Sequence, residues 1–292
     1  MSGPVLALSS AVFWAVSVIL FRRIGDRLAP TTLNFYKCAT ALLLIVPTAL
    51  IWHGNATLSG QTNKLMVMAL SGFIGIGIAD TLFLSALKRL GATRASAIES
   101  LFSPAVVLLS VLFLGEVMTL PQTLGMLLVV GGVVLVNLRG YGDQAIDSGH
   151  QRSGYLFALA AVITSASGIV MLKPMIGTEP ALWVVMVRLF GGLIAVTLTI
   201  VISRQLSVRA LAIGRNAPWA TLLAASAAGA WLSTLMFVMA MSRMDVDVAS
   251  VLNETAVIFV VLMAWWWLRE PMNVKRVAGV LTAFSGVVLV LL

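Results

Sequence analysis

The sequence predicts an all-α membrane protein: ten transmembrane helices, folded as two inverted five-helix repeats around a central cavity. Three observations predict it. The chain is too apolar for water, its apolar residues fall in runs of span length, and its halves repeat one another with opposite charge bias.

Of 292 residues, 60% are hydrophobic and only 10% charged, with mean hydropathy +1.03. A soluble domain of this size carries about a quarter of its residues as charges, so the apolar excess must face lipid. The net charge of +8 would suit a nucleic-acid binder, but the basic residues sit in short loops between apolar runs rather than in a patch or arm. Cys38 is the single cysteine, which excludes an intrachain disulfide and a Cys-rich metal site. His53 and His150 both fall in predicted loops, so no His-based metal cluster is expected, and no cofactor. The first apolar run, Pro4 to Phe21, has no basic region before it and no small-residue cleavage site after it. It reads as a retained first span rather than a signal peptide.

Crossing a hydrocarbon core of about 30 Å takes roughly 20 apolar residues. A window of that length marks spans at 4–21, 31–52, 65–87, 93–114, 121–138, 154–173, 180–202, 218–241, 247–268 and 274–292. The longest loop before the seventh span, 139–153, is rich in Gly, Asp and Ser and marks the midpoint. Expected units are therefore 1–138, a linker at 139–153, and 154–292.

Loops after odd-numbered spans, with the adjoining span ends, hold Arg22, Arg23, Arg27, Lys88, Arg89, Arg94, Arg139, Arg152, Arg204, Arg209, Arg215, Arg269, Lys275 and Arg276. The other side holds Lys64, Lys173 and Arg243. The positive-inside bias predicts cytoplasmic odd loops and two external termini. Trp52, Trp183, Trp219 and the cluster Trp265 to Trp267 fall near span ends, as interfacial belts do. Trp14 and Trp231 fall mid-span, where a belt does not account for them.

Residues 86–138 align without a gap onto 240–292, a shift of 154. Arg89 falls on Arg243, Ala95-Ser96 on Ala249-Ser250, Glu116 on Glu270, Gly125 on Gly279 and Gly132 on Gly286. The front of each half aligns at a shift of 151, with Ser2-Gly3 on Ser153-Gly154, Arg22 on Lys173 and Lys37 on Arg188. Five spans per half is an odd number, so consecutive halves enter the membrane from opposite sides, and the charge pattern agrees. Inverted repeats are typical of secondary transporters. The third and eighth spans also carry matched small-residue ridges, Ser71, Gly75, Ala79 and Ala225, Gly229, Ser233, expected to bring those two helices together as a rocking joint.

The pattern resembles the drug/metabolite transporter superfamily, in its ten-span EamA-type members, over essentially the whole chain. The residues carrying the resemblance are Trp14 followed by Arg22-Arg23, the basic Lys37 and Arg188 in the second helix of each half, and the stretch Ala86 to Ala97 with Pro104. Leu114-Gly115-Glu116 and the run from Gly132 to Val136 complete it. In the second half Leu268-Arg269-Glu270 replaces Leu-Gly-Glu, and Ile258 stands where Pro104 would recur. The resemblance implies membrane transport, with export the favoured direction, in a bacterial inner membrane. It leaves the substrate open, since members carry amino acids, nucleotide sugars, drugs and other metabolites.

Five ionisable groups fall within spans: Lys37, Asp80, Glu99, Arg188 and Glu254. At about 2.5–3.5 kcal/mol each near a helix centre, they would cost on the order of 12–17 kcal/mol uncompensated. They must pair, reach water or titrate. Lys37, Asp80 and Glu99 lie about 9–10 Å in from the cytoplasmic side at helical rise; Arg188 and Glu254 lie at like depth from the other. The expectation is an inner layer of Lys37, Asp80 and Glu99 and an outer layer of Arg188, Asn253 and Glu254. Asn253 is the repeat equivalent of Glu99, and Thr234 that of Asp80. Ser96, Glu99, Ser100 and Ser103 share one arc of the fourth span, and Ser250, Asn253 and Glu254 one arc of the ninth. Both helices are therefore expected to line an aqueous cavity.

Glu99, Glu254 and Asp80 are the candidates for substrate or proton binding, with Lys37 and Arg188 as their counter-charges or as a carboxylate seat. The alternative for the two cations is a fixed ion pair or outward snorkelling. Trp14 and Trp231 could stack on a substrate or simply pack. Glu116 and Glu270, at helix ends, are expected to shape turns. An intramembrane enzyme would need HExxH, GxSxG or paired aspartates, and none occurs. A channel fits the inverted repeat less well than alternating access, and a purely structural subunit is the remaining rival, which loss of an uptake or efflux phenotype on deletion would separate from a transporter. The expected partners are a small polar metabolite such as an amino acid, lipid and protons; no nucleic acid is expected, and the chain should be a monomer or weak homodimer.

Overall fold

A computed structural model describes residues 1–53, 62–115, 119–137, 148–175, 179–202, 218–270 and 272–290, and among these every regular element is a helix. The elements are α1 (Gly3–Gly25), α2 (Pro30–His53), α3 (Thr62–Leu90), α4 (Ala92–Glu99), α5 (Phe102–Leu114), α6 (Leu120–Asn137), α7 (Ser148–Leu172), α8 (Ala181–Ile202), α9 (Trp219–Met241), α10 (Val246–Asn253), α11 (Ala256–Leu268) and α12 (Val274–Val290). Among the described residues seven helical stretches are long and apolar enough to cross a bilayer. They are α1, most of α2, α3, α4 with α5, α7 running on to Met175, α8 and α9. Shorter apolar helices at Thr123–Val136 and Ala256–Leu268 lie in the expected fifth and ninth spans.

Several expectations need correction. The fourth and ninth spans are not continuous. α4 ends at Glu99 and α5 begins at Phe102; α10 ends at Asn253 and α11 begins at Ala256. Pro104 stands in the first turn of α5, where its missing N–H costs no intrahelical bond. The second break has no proline. There Thr255 Oγ1 donates to Leu252 O at 2.8 Å, and Val257 N and Ile258 N make three-residue turns back to Glu254 O and Thr255 O. Both histidines lie in helices rather than loops, His53 at the end of α2 and His150 in the first turn of α7. α7 starts at Ser148, inside the expected linker, whose earlier residues 139–147 lie outside the described residues, as does Glu116. Arg94 and Arg276, grouped with loop cations, sit buried in the opening turns of α4 and α12.

α3 and α9 each contain a stretch of π-helix, Phe73–Ile78 and Ala227–Ser233. The wider i→i+5 turn upsets regular carbonyl pairing, so side chains must supply donors. Asn34 Nδ2 donates to Ile76 O and Gly77 O at 3.0 Å, and Thr81 Oγ1 donates to Gly77 O. In α9, Thr234 Oγ1 donates to Gly229 O, and Ser10 Oγ of α1 donates to Ser233 O.

The small-residue ridges find other partners than expected. Ser71 Oγ donates to Gly168 O at 2.6 Å, and a Cβ on Gly168 would come within 2.9 Å of Gly75 Cα. A Cβ on Gly229 would meet Ser17 Oγ at 2.2 Å, and Ser17 Oγ donates to Ala225 O. The α3 ridge thus packs on α7, and the α9 ridge on α1. Between α3 and α9 a polar cavity intervenes, because Asp80 and Thr234 open space that a small-residue contact would close. Close contact between repeat-related helices occurs elsewhere: Gly132 of α6 meets Gly279 and Ala283 of α12, and Gly286 meets Gly125.

Candidate functional site

The two helix breaks and the two π segments surround a cavity of about 140 Å³. Its wall includes Ser10 and Trp14 of α1, Gly75 and Asp80 of α3, Ser96 and Glu99 of α4, Ser165 of α7, Arg188 of α8, Ser233 and Thr234 of α9, and Asn253 and Glu254. Phe102, Ile169 and Phe237 supply apolar surface. A second cavity of about 90 Å³, lined by Trp14, Lys37, Asp80 and Thr234, adjoins it through shared residues. The inner and outer layers expected from sequence therefore meet at one space.

The ionisable groups are not equivalent. Lys37 Nζ forms an ion pair with the Asp80 carboxylate, joining α2 to α3. Glu254 Oε1 accepts from Ser103 N–H at 3.1 Å, so a carboxylate at the end of α10 caps the start of α5. The exposed N–H groups and dipole of a helix start favour such an anion. Arg188 and Glu99 have no such arrangement. Among the described residues neither forms a hydrogen bond or an ion pair, with each other or with any other group. Arg188 is 4% exposed, and its guanidinium passes over Gly75, where a Cβ would stand 3.4 Å from Nη2.

Among the described residues, four buried polar atoms on the cavity wall lack a partner: Ser96 Oγ, Glu99 Oε2, Arg188 Nε and Asn253 Oδ1. Leaving a polar group buried and unsatisfied costs about 1–3 kcal/mol, more for a charged one. A cluster on one wall is where a polar ligand recovers that cost.

Of the expected site residues, Asp80, Glu99, Arg188, Asn253, Glu254 and Trp14 share the larger cavity, and Lys37 reaches the smaller. Trp231 lines neither. It lies in the second π segment and packs against the apolar core with its indole nitrogen buried. Trp14 tilts against Phe83 at 5.5 Å while lining both cavities. Of the polar arcs, Ser96, Glu99, Asn253 and Glu254 reach the cavity. Ser100 instead donates to Ala97 O in the break, and Ser250 to Val246 O. Sequence reasoning missed Ser10, Ser165 and Ser233 as lining residues. Ser10 stands one helical turn from Trp14, Ser165 is Trp14's repeat counterpart and Ser233 adjoins Thr234, but which helix faces met at the cavity was not encoded in that spacing.

Glu270 does more than shape a turn. Its carboxylate accepts from Ala92 N at 2.7 Å and Thr93 N at 3.0 Å, capping α4 from the far end of the chain. At the other face Lys64 pairs with Glu179 at 3.0 Å.

Comparison with known proteins agrees with this architecture. The chain matches the EamA-like transporter family over residues 1–138 and again over 152–292. An uncharacterized transporter of Archaeoglobus fulgidus is 24% identical over 98% of this chain and 97% of its own length. The uncharacterized transporter YxxF of Bacillus subtilis is 30% identical over 50% of this chain and 46% of its own. A solved crystal structure shares the fold at a TM-score of 0.72 and 16% identity, covering 98% of this chain and 95% of that one. The chain is a multi-pass membrane protein that belongs to the EamA-like transporter family.

Proposed function

We propose that this chain is a secondary transporter that moves a small polar metabolite, amino-acid-like or related, across the cytoplasmic membrane by alternating access. In this reading ten spans form two inverted five-helix repeats, 1–138 and 154–292, joined by 139–153, with both termini outside a bacterial inner membrane. The protein works as a monomer or weak homodimer, exports its substrate, runs on protons and performs no bond-making chemistry.

One observation carries the reading: a cavity within the bundle, walled by Ser96, Glu99, Arg188 and Asn253 with unsatisfied polar atoms. Discontinuous helices at a midplane site are the usual construction of such transporters, and α4–α5 and α10–α11 break beside this cavity. The breaks and the π segments each recur at a separation of 154 residues, which supports the repeat.

Reconstitution into proteoliposomes with an imposed pH gradient tests this. The wild-type chain drives solute uphill. Glu99→Gln and Glu254→Gln each retain solute exchange and lose gradient-driven accumulation. Unchanged accumulation in both variants rejects proton coupling through these groups.

A further inference from the structure

We infer that the seam between α4 and α11 seals the cavity from one face of the membrane, with Glu270 as its latch, so that the unloaded protein opens toward the opposite face. The inference rests on the transporter reading and concerns how access to that same cavity is controlled.

α4 starts at the Gly91 turn and ends in the cavity at Glu99; α11 leaves the cavity at Ala256 and Val257 and runs back to the same face. Between those ends the seam is apolar. Ala92 and Ala95 of α4 bury with Val260 and Ala264 of α11 in one cluster, and Ala97 with Val257 and Val261 in another. At the outer end the Glu270 carboxylate accepts from Ala92 N–H and Thr93 N–H, tying the second half to the first. Gly91 makes room for it. Its φ is +84°, and a Cβ there would stand 2.9 Å from Glu270 Oε1. Glycine alone meets both demands.

The repeat counterpart of this seam lies between α10 and α5, toward the opposite face, and it differs at two points. Asp245 replaces Gly91, exposed directly before α10. Its negative charge already stands at that helix start and repels a second carboxylate. Ser110 replaces Ala264; its hydroxyl is buried and accepts from Lys173 Nζ at 3.2 Å. A polar pair is costlier to close against apolar surface than an alanine. Alternating access parts the two halves on each face in turn, and a bond made in one state alone biases the equilibrium toward that state. The latched, apolar seam therefore holds its face closed, and the seam with Asp245 and Ser110 parts first. In the proposed topology the latched face is cytoplasmic.

The test uses the full chain with Cys38→Ser and Ser165→Cys on the cavity wall, in oriented vesicles with no solute added. The probe is a membrane-impermeant maleimide applied from one face at a time. In this parent, labelling is slower from the Gly91 face than from the opposite one. Glu270→Gln keeps the shape of the side chain and removes its charge. It speeds labelling from the Gly91 face about threefold to tenfold and slows it from the other, while Glu270→Asp retains part of the bias. A disulfide between Ala92→Cys and Glu270→Cys, formed before the probe is added, closes the Gly91 face and leaves the other open. Faster labelling from both faces in Glu270→Gln marks general loosening and overturns the inference, as does a parent labelled faster from the Gly91 face. Labelling from the Gly91 face with the disulfide in place does the same. If the parent is labelled from both faces and Glu270→Gln shifts nothing, alternating access stands and the latch alone falls. If one face alone gives labelling in every variant, the transporter reading falls with it.

Discussion

The two halves share a scaffold and differ in chemistry. Both have a π segment followed by a polar residue, and both break a helix beside the cavity. At the facing positions the first half has Lys37 paired with Asp80 and an acid at Glu99, while the second has Arg188, Thr234 and Asn253. Trp14 on α1 likewise has Ser165 as its repeat counterpart on α7, and both line the cavity. A buried charge with a fixed partner serves structure, and removing either member is costly. A buried charge with none destabilises the empty protein, and is retained for what binds it. The proposed reading gives Lys37 the first role and Arg188 the second.

The largest effect should come from the paired cation. Asp80→Asn strips Lys37 of its counter-charge and should cost about 3 kcal/mol, read as a lower thermal midpoint in detergent. Arg188→Met should leave the midpoint unchanged or raise it while abolishing substrate binding. Equal losses of stability in both would erase the distinction between the halves.

Packing gives the next contrast. A Cβ on Gly168 would meet the backbone of Gly75 and Ser71 at 2.9 Å, whereas one on Gly229 would meet the side chain of Ser17. Gly168→Ala should therefore cost about 2 kcal/mol through overpacking. Gly229→Ala should cost less and be rescued by Ser17→Gly. Thermal unfolding of the single and double variants checks both.

A smaller effect concerns the left-handed residues after α5 and α11. Gly115 has φ +69° and Arg269 φ +54° at the same repeat position. Left-handed backbone costs a residue with a Cβ roughly 1 kcal/mol, so Arg269→Gly should stabilise by about that amount in the same assay. Last, Glu270→Ala removes the cap on α4 and should cost about 1 kcal/mol, seen as faster amide exchange at Ala95 and Ser96.

The all-helical, membrane-spanning character and the buried charges were legible because lipid imposes a simple rule on composition and makes each buried charge conspicuous. The Gly115-to-Arg269 departure looked like a weaker match, yet both residues adopt the same backbone. The breaks after Glu99 and Asn253 were not legible. Pro104 fits either a kinked helix or a new helix start, and the second break has no proline. The ridge at Ser71 and Gly75 announced close packing without naming the partner, since spacing along one helix carries no information about which neighbour arrives. Trp231 was open between stacking and packing because a mid-span position names no neighbour, and it packs on the apolar core. Glu270 as a cap for α4 required contact across 177 residues or more, which no local pattern encodes.

The central claim is that the cavity between α4, α8 and α10 opens in turn to the two sides of the membrane. Cys38 is the single native cysteine, so a Cys38→Ser background carrying Ser165→Cys on the cavity wall isolates the question. Oriented vesicles treated with a membrane-impermeant maleimide should label this position from either face, with saturating substrate changing the balance between the two. Labelling confined to one face under every condition would contradict the account.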